Sequence, residues 1–377
     1  MRFVRGTLAV LTALAALLLA TPASPAVAVA SGAVFNKPTD PARQYAIVRH
    51  LRSLIQGAAA GSEIHIAIYH FSDTAIADDL VAARDRGVKV RLVVDHSSAD
   101  GAAVRNLVKA LGTDRAKPSW VVLCTKGAAC IGNVGTPIMH NKFFLFSHTN
   151  GSSNVVVQGS ANLTKDNAEK YWNNAVTLVG DTGLYNGYLS YFRDLAAKKK
   201  DGDYYRTVSG DNSKAYFFPR AGNGASTDTI HNMLDDNVAC EGNTTVGTKS
   251  GRTIIRIGMW YFSRDAIARK LRELADRKCW VEVIYTTMDA GSRGHLSNHD
   301  RIVLRQIDGA QIVHSKYMLI EGTYAGVKNS KWVMTGSHNY TNAALRENDE
   351  TLLRIRSDAI HDQYRANFNA MRASAAS

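Results

Sequence analysis

The sequence predicts an α/β sandwich, with α+β character, made of two homologous pseudo-symmetric lobes, each a mixed β-sheet flanked by helices. Three observations lead there: a duplicated strand-helix-strand pattern, helix candidates in front of and behind each copy, and a length of 377 residues. That length exceeds the roughly 250–300 residues at which single cores stop growing, and admits one large domain or two ordinary ones.

The duplication organises everything else. Ile64 to Asp95 (IHIAIYHFSDTAIADDLVAARDRGVKVRLVVD) matches Ile254 to Asp289 (IIRIGMWYFSRDAIARKLRELADRKCWVEVIYTTMD) in order and character. Each copy reads as an apolar strand, a Phe-Ser turn, an amphipathic helix and a second apolar strand. Ser72 and Ser263 stand where a helix cap is expected, and Ile76, Leu80, Ala83 and Ile267, Leu271, Leu274 recur at helical spacing. The strands flanking each helix are therefore predicted to run parallel. Further helices are expected at 44–58 and 227–238, ahead of the copies, and at 183–197 and 357–372, behind them. The stretch 201–226, rich in Gly, Asp, Asn and Ser, is predicted to be a surface linker between lobes 31–200 and 227–377, with its aromatics packed on a lobe.

Residues 1–30 read as an export signal. Arg2 and Arg5 precede an apolar run from Leu8 to Ala20, and Ala26-Val27-Ala28 supplies a small-residue cleavage site. The run is shorter than the roughly 20 residues that span a bilayer, so export with cleavage near Val29 or Ser31 is preferred to a membrane anchor. The mature protein is accordingly expected to be secreted.

In an oxidising compartment Cys124, Cys130, Cys240 and Cys279 are expected to form disulfides. Three pairings are possible; Cys124 with Cys130 is favoured as a local bridge, leaving Cys240 with Cys279. A zinc site competes, but no C-x-x-C or Cys-His spacing supports it. The formal charge of +12 attracts anionic partners without saying which, so nucleic acid and an anionic lipid surface are both open.

After its second matched strand, each half repeats another pattern. Met139 to Phe146 (MHNKFFLF) is followed by Gly159 to Thr164 (GSANLT), and Val313 to Ile320 (VHSKYMLI) by Gly336 to Thr341 (GSHNYT). On a strand, residues i and i+2 share a face, so His140 projects with Lys142 and His314 with Lys316. Ser160 with Asn162 and Ser337 with Asn339 pair in the same way at strand ends. Each half thus offers an imidazole, an ammonium, a hydroxyl and an amide. Lysines and amides suit the non-bridging oxygens of a phosphate diester, and histidine attacks or transfers a proton near neutral pH. One H-x-K alone is weak evidence, whereas two at matched places, each followed by G-S-x-N, are not.

These residues resemble the phospholipase D superfamily, whose signature is H-x-K, an Asp after four intervening residues, then G-S-x-N. The resemblance covers nearly all of the mature chain. It implies that one histidine attacks phosphorus to form a phosphohistidine while the other protonates the leaving alcohol, with no metal and no cofactor. By family analogy His140 is assigned as nucleophile and His314 as acid, assisted by Lys142 and Lys316. Ser160, Asn162, Ser337 and Asn339 are assigned to phosphate binding.

There are departures from the family pattern. Ser147 and Glu321 occupy the two places of the family's Asp. A second acidic residue downstream normally orients the opposite lobe's histidine; Glu350 fits that role for His140, and Asn174 aligns with it in the first half. The resemblance further implies a secreted phospholipase D acting on phosphatidylcholine or related lipids, with head-group transfer possible. Alternatives are a secreted metal-independent endonuclease and an inactive paralogue binding anionic polymers or membranes. A monomer is expected. Weaker candidates are a metal pair at His295 and His299, a cleft role for His70, and substrate contacts from Tyr171 and Trp172.

Overall fold

The computed structural model describes residues 1, 3, 28–235 and 237–375. The export signal falls almost wholly outside the described residues. Among those described, no helix is long and apolar enough to cross a membrane.

The first half comprises β1 (Gly32–Asn36), α1 (Ala46–Gln56), β2 (Glu63–Ile68), α2 (Thr74–Asp85), β3 (Lys89–Val94), α3 (Ala102–Leu111), β4 (Trp120–Leu123), β5 (Lys142–Thr149), β6 (Ser152–Gly159), α4 (Lys165–Glu169), β7 (Tyr171–Val179) and α5 (Thr182–Ala196). Its strands run in the order β1-β7-β6-β5-β2-β3-β4. The second half adds β8 (Arg206–Ser209), β9 (Ser213–Phe217), α6 (Thr229–Asp235), β10 (Val238–Ala239), β11 (Ile254–Phe262), α7 (Asp265–Asp276), β12 (Trp280–Met288), α8 (Ala290–Leu296), β13 (Ile302–Gln306), β14 (Ile312–Val313), β15 (Lys316–Tyr324), β16 (Val327–Gly336), α9 (Asn342–Arg346), β17 (Thr351–Arg356) and α10 (Asp358–Ser374). Its sheet order is β13-β12-β11-β15-β16-β17-β9-β8. As the repeat predicts, β2 pairs parallel with β3 and β11 with β12, while β5 and β15 pair antiparallel to β2 and β11.

Two local expectations are corrected. The caps of α2 and α7 are Asp73 and Arg264, not the preceding serines; Asp73 accepts from the Ile76 amide, and Arg264 makes no side-chain cap. The Ser72 and Ser263 amides instead donate to the carbonyls of Leu163 and Tyr340, tying each turn to the loop after G-S-x-N. The stretch 201–226 is also more than a linker. Ser213-Lys-Ala-Tyr-Phe alternates as a strand does, and β9 pairs with β17, extending the second sheet. The turn-forming residues gather at Gly210, Asp211 and Asn212, between β8 and β9.

One apolar core lies between the sheets and belongs to both halves. It joins Phe143, Leu145, Val156 and Val176 to Leu319, Val333 and Leu353, with α5 and α10 closing it through Tyr188, Tyr191, Tyr364 and Phe368. Each such side chain contributes roughly 1.5–3 kcal/mol when fully buried. Separate clusters fill the outer faces of the two sheets. Disulfides join Cys124 to Cys130 and Cys240 to Cys279. This packing sets the two H-x-K segments side by side at the strand ends where the halves meet.

Candidate active site

Both H-x-K segments enter their strands at the lysine, so β5 and β15 begin at Lys142 and Lys316 and each histidine lies just ahead. Backbone bonds from the opposite half hold them: the His140 amide donates to the Asp349 carbonyl at 3.0 Å and the His314 amide to the Trp172 carbonyl at 2.9 Å. The side chains cross over likewise. His140 Nδ1 lies 2.8 Å from Glu350 Oε1, and His314 Nδ1 lies 2.9 Å from Asn173 Oδ1. Because Asn173 Nδ2 donates to the Asn167 carbonyl, Asn173 Oδ1 is the atom that faces His314. That acceptor requires Nδ1–H on His314 and leaves its Nε2 for chemistry; an ionised Glu350 imposes the same tautomer on His140.

The orienting residue in the first half is therefore Asn173, not Asn174. Asn174 instead donates to Thr335 Oγ1 and the Tyr364 hydroxyl, stitching the halves together. Spacing from the motif serine carried the signal: Asn173 follows Ser160 by thirteen positions, as Glu350 follows Ser337.

The four G-S-x-N side chains divide into two pairs. Ser160 and Ser337 are fully buried, and their hydroxyls donate to Asn173 Oδ1 (2.8 Å) and to Glu350 Oε2. They brace the orienting groups rather than face a phosphate, which corrects their assignment. Asn162 Oδ1 accepts from the His70 amide, and Asn339 Oδ1 has no protein partner. Neither Nδ2 is engaged within the protein among the described residues, so the two amides are the motif's free donors.

Lys142 and Lys316 are buried, and each Nζ donates to the carbonyl of its own motif histidine. Their ammonium groups lie 5.1 Å from the Tyr69 ring and 5.0 Å from the Trp260 ring. These two aromatics were missed from sequence, although both stand two residues before the Phe of the duplicated turn. Tyr69 also lies 5.2 Å from His140, while Trp260 and Tyr171 lie 4.9 and 5.7 Å from His314. His70 stacks on Tyr69 beside the site, whereas the Trp172 side chain is wholly in the core.

Burial governs the site's electrostatics. It pushes Lys142 down to about 7, against the pull of Glu350 and Asp95, and Lys316 well below the usual ammonium range with help from Lys142. Burial and the neighbouring lysines hold both histidines well below the ordinary imidazole value. Burial also lifts Glu350 to about 8, opposed chiefly by Lys142. Burial thus disfavours charge on two amines, two imidazoles and one carboxyl crowded together, and an anion bound there would favour the charged form of the basic groups.

Asp349, beside Glu350, was also missed. It is fully buried and accepts from the amides of Cys130 (2.8 Å), Ile131 (3.0 Å) and Gly132 (2.7 Å), clamping the disulfide-closed loop to the strand that orients His140. The two sites of the family's Asp lie away from this centre. Ser147 accepts from the Glu63 amide, and Glu321 pairs with Arg256 at 2.7 Å. His299 bonds to Asp276, and among the described residues no group of three or more His, Cys, Asp or Glu is placed to hold a metal.

A family model described as "Cardiolipin synthase, PLD-like domain" matches residues 51–195 and 248–372, both halves of the duplication. The chain belongs to this phospholipase D-like family. Its members act on phosphodiester bonds, and the chain falls within that broad class. No curated protein matches it. Among solved structures, phosphatidylserine synthase from Haemophilus influenzae Rd KW20 superposes with a TM-score of 0.61 at 12% identity, over 87% of this chain and 84% of that one. Polyphosphate kinase from Porphyromonas gingivalis gives 0.57 at 13%, over 90% of this chain but 50% of that one, so the chain spans half that kinase's length. A mutant of yeast tyrosyl-DNA phosphodiesterase gives 0.51 at 12%, over 86% and 89%. At these identities the likeness shows the fold.

The two orienting residues differ in charge, and this predicts a pH effect. Asn173→Asp puts a carboxylate on His314 Nδ1 and should raise that imidazole's pKa. A general acid works only while protonated, so the fall of kcat/KM with rising pH should move to higher pH in the variant. A kcat/KM profile checks this, with an unmoved limb as the contrary result.

Proposed function

We propose that this protein is a secreted phosphodiesterase that hydrolyses the head-group ester of phospholipids such as phosphatidylcholine through a phosphohistidine. The observation that carries the reading is the crossed pair of histidines, each held at Nδ1 by the other half, above two buried lysines that lack a matching anion. Lys142, Lys316 and the amides of Asn162 and Asn339 would hold the non-bridging oxygens.

His140 is the nucleophile in this reading. When its Nε2 bonds to phosphorus the ring becomes cationic, and the Glu350 carboxylate offsets that charge where an amide cannot. His314, facing the neutral Asn173, makes the better acid. The bound phosphate diester's negative charge favours the imidazolium form of His314, whose Nε2 proton passes to the head-group oxygen as the P–O bond breaks, and the alcohol leaves. His314 then takes a proton from water; the hydroxide oxygen attacks phosphorus, the N–P bond breaks, and phosphatidate and free His140 result. An alcohol in place of water gives head-group transfer. Tyr69, Tyr171 and Trp260 around the histidines suit a quaternary ammonium head group by cation-π attraction.

The charge of +12 favours a second reading, cleavage of nucleic acid by the same chemistry. Choline release from phosphatidylcholine vesicles, measured beside cleavage of plasmid and single-stranded DNA with EDTA present, decides between them. EDTA-resistant choline release without DNA cleavage is expected; DNA cleavage without choline release would replace the lipid reading.

A further inference from the structure

The duplication supplies an internal control for the outer face of the second sheet. Val155 and Trp332 each stand four residues before the motif glycine. Thr177 and Arg354 stand four residues after Asn173 and Glu350, and Val179 and Arg356 six. Gly32, paired with Thr177, corresponds to Lys214, paired with Arg354. In the first half α1 covers two of these positions: Val155 and Thr177 are buried, and His50 Nε2 lies 2.8 Å from Thr177 Oγ1, while Val179 and Gly32 are partly exposed. The counterpart of α1 is α6, which spans seven residues instead of eleven.

Beneath that shorter helix the equivalent positions carry three cations and an indole. The Arg354 and Arg356 guanidiniums lie 5.3 and 5.8 Å from the half-buried Trp332 ring, and Lys214 Nζ lies 5.5 Å from the Tyr216 ring. Among the described residues none of the three cations forms an ion pair. Arg356 is exposed, and Lys214 and Arg354 are partly so. Where the first half carries neutral residues, the second presents three cations without an ion-pair partner among the described residues.

We propose that this face is a docking surface for single-stranded nucleic acid, with phosphates on Lys214, Arg354 and Arg356 and a base against Trp332. A bilayer fits less well. The patch lies on the side of the sheet, Arg354 being about 13 Å along β17 from Glu350, whereas the histidines sit at the strand ends, so a plane resting on the histidines does not lie flat on the patch, while a flexible strand can follow the patch alone. Val134 and Tyr261, the exposed large hydrophobics of the described sheet-bearing region, lie elsewhere, so the patch offers a half-buried indole among cations but no exposed aliphatic side chain to insert into lipid. The inference goes beyond the substrate reading and is testable without turnover.

The test uses the full mature chain carrying His140→Ala and a fluorescent oligothymidylate of about 20 nucleotides, followed by anisotropy across a salt series. Adding Lys214→Gln, Arg354→Gln and Arg356→Gln together should weaken binding at least tenfold and flatten the log-log salt slope by about 2. Removing equal charge from the first half, with Lys109→Gln, Lys117→Gln and Lys165→Gln, should change affinity less than twofold. If the triple variant does not fold, Arg356→Gln alone should lower the slope by about 0.7. Unchanged affinity and slope would overturn the proposal. So would loss of binding to phosphatidylglycerol vesicles with oligonucleotide binding intact, which would make the face a lipid site.

Discussion

His140→Ala is expected to lower choline release by about 10⁴-fold or more, and no change of leaving group should restore it. In the proposed mechanism the variant loses the atom that attacks phosphorus, while both lysines and His314 stay in place. His314→Ala should be as damaging with phosphatidylcholine, whose choline oxygen needs a proton as it departs. Its first-turnover release of leaving group should recover substantially, by about 10²-fold or more relative to that substrate, with a p-nitrophenyl phosphodiester, whose phenolate leaves without a proton, while later turnovers stay slow because His314 also activates the water. The contrast between the two variants separates nucleophile from acid, which a single loss of activity would not. Recovery of His140→Ala instead would reverse the roles.

The second large effect is expected at Glu350. Glu350→Gln keeps the side chain's length and an acceptor for His140 Nδ1, but removes the charge that offsets a phosphorylated imidazole and permits the wrong tautomer through its NH₂ group. A fall in kcat of about 10³–10⁴-fold is expected, comparable to neutralising the aspartate behind a catalytic histidine in serine hydrolases. KM should change little, because Glu350 faces His140 and Ser337 and not the substrate pocket. Neutralising Glu350 leaves Lys142 and Lys316 buried without that counter-charge, so some loss of stability is expected, and kcat is compared below the melting temperature of the variant to separate catalysis from folding. Unaltered kcat with a raised KM would contradict this role.

The framework was legible because it is written twice. A matched strand-helix-strand, matched H-x-K segments and matched G-S-x-N turns made the parallel pairs and the meeting of the halves legible, whereas the antiparallel pairing of β5 and β15 emerged from the structure. What escaped the sequence turns on single-residue register and on burial. Reading Asn174 for Asn173 is a slip of one residue, and on a strand such a slip sends the side chain to the opposite face, here the interface between the halves. Ser160 and Ser337 looked like phosphate ligands because hydroxyls suit that task. Only packing reveals that both are sealed behind Asn173 and Glu350. Asp349 was hidden for a third reason: its partners are backbone amides of a loop over two hundred residues earlier, and amides carry no sequence signature. The hairpin of β8 and β9 was masked by its own turn, whose Gly, Asp and Asn dominate the composition of 201–226.

These particulars divide the labour of the site between the halves. The first contributes a histidine whose counter-charge comes from the second, and the second contributes a histidine whose neutral partner comes from the first. Neither half holds a complete centre. The asymmetry of one carboxylate and one amide is what makes the two imidazoles inequivalent in a framework otherwise repeated.

The most direct test of that claim is to trap the intermediate. The His314→Ala variant, which lacks the base that hydrolyses the phosphoenzyme, is mixed with a p-nitrophenyl phosphodiester, whose leaving group needs no proton, then quenched in alkali, digested and analysed by mass spectrometry. A phosphorus-nitrogen adduct on the peptide carrying His140, absent from His140→Ala, is the predicted result; turnover by His140→Ala at the wild-type rate, with no adduct on either histidine peptide, would contradict it.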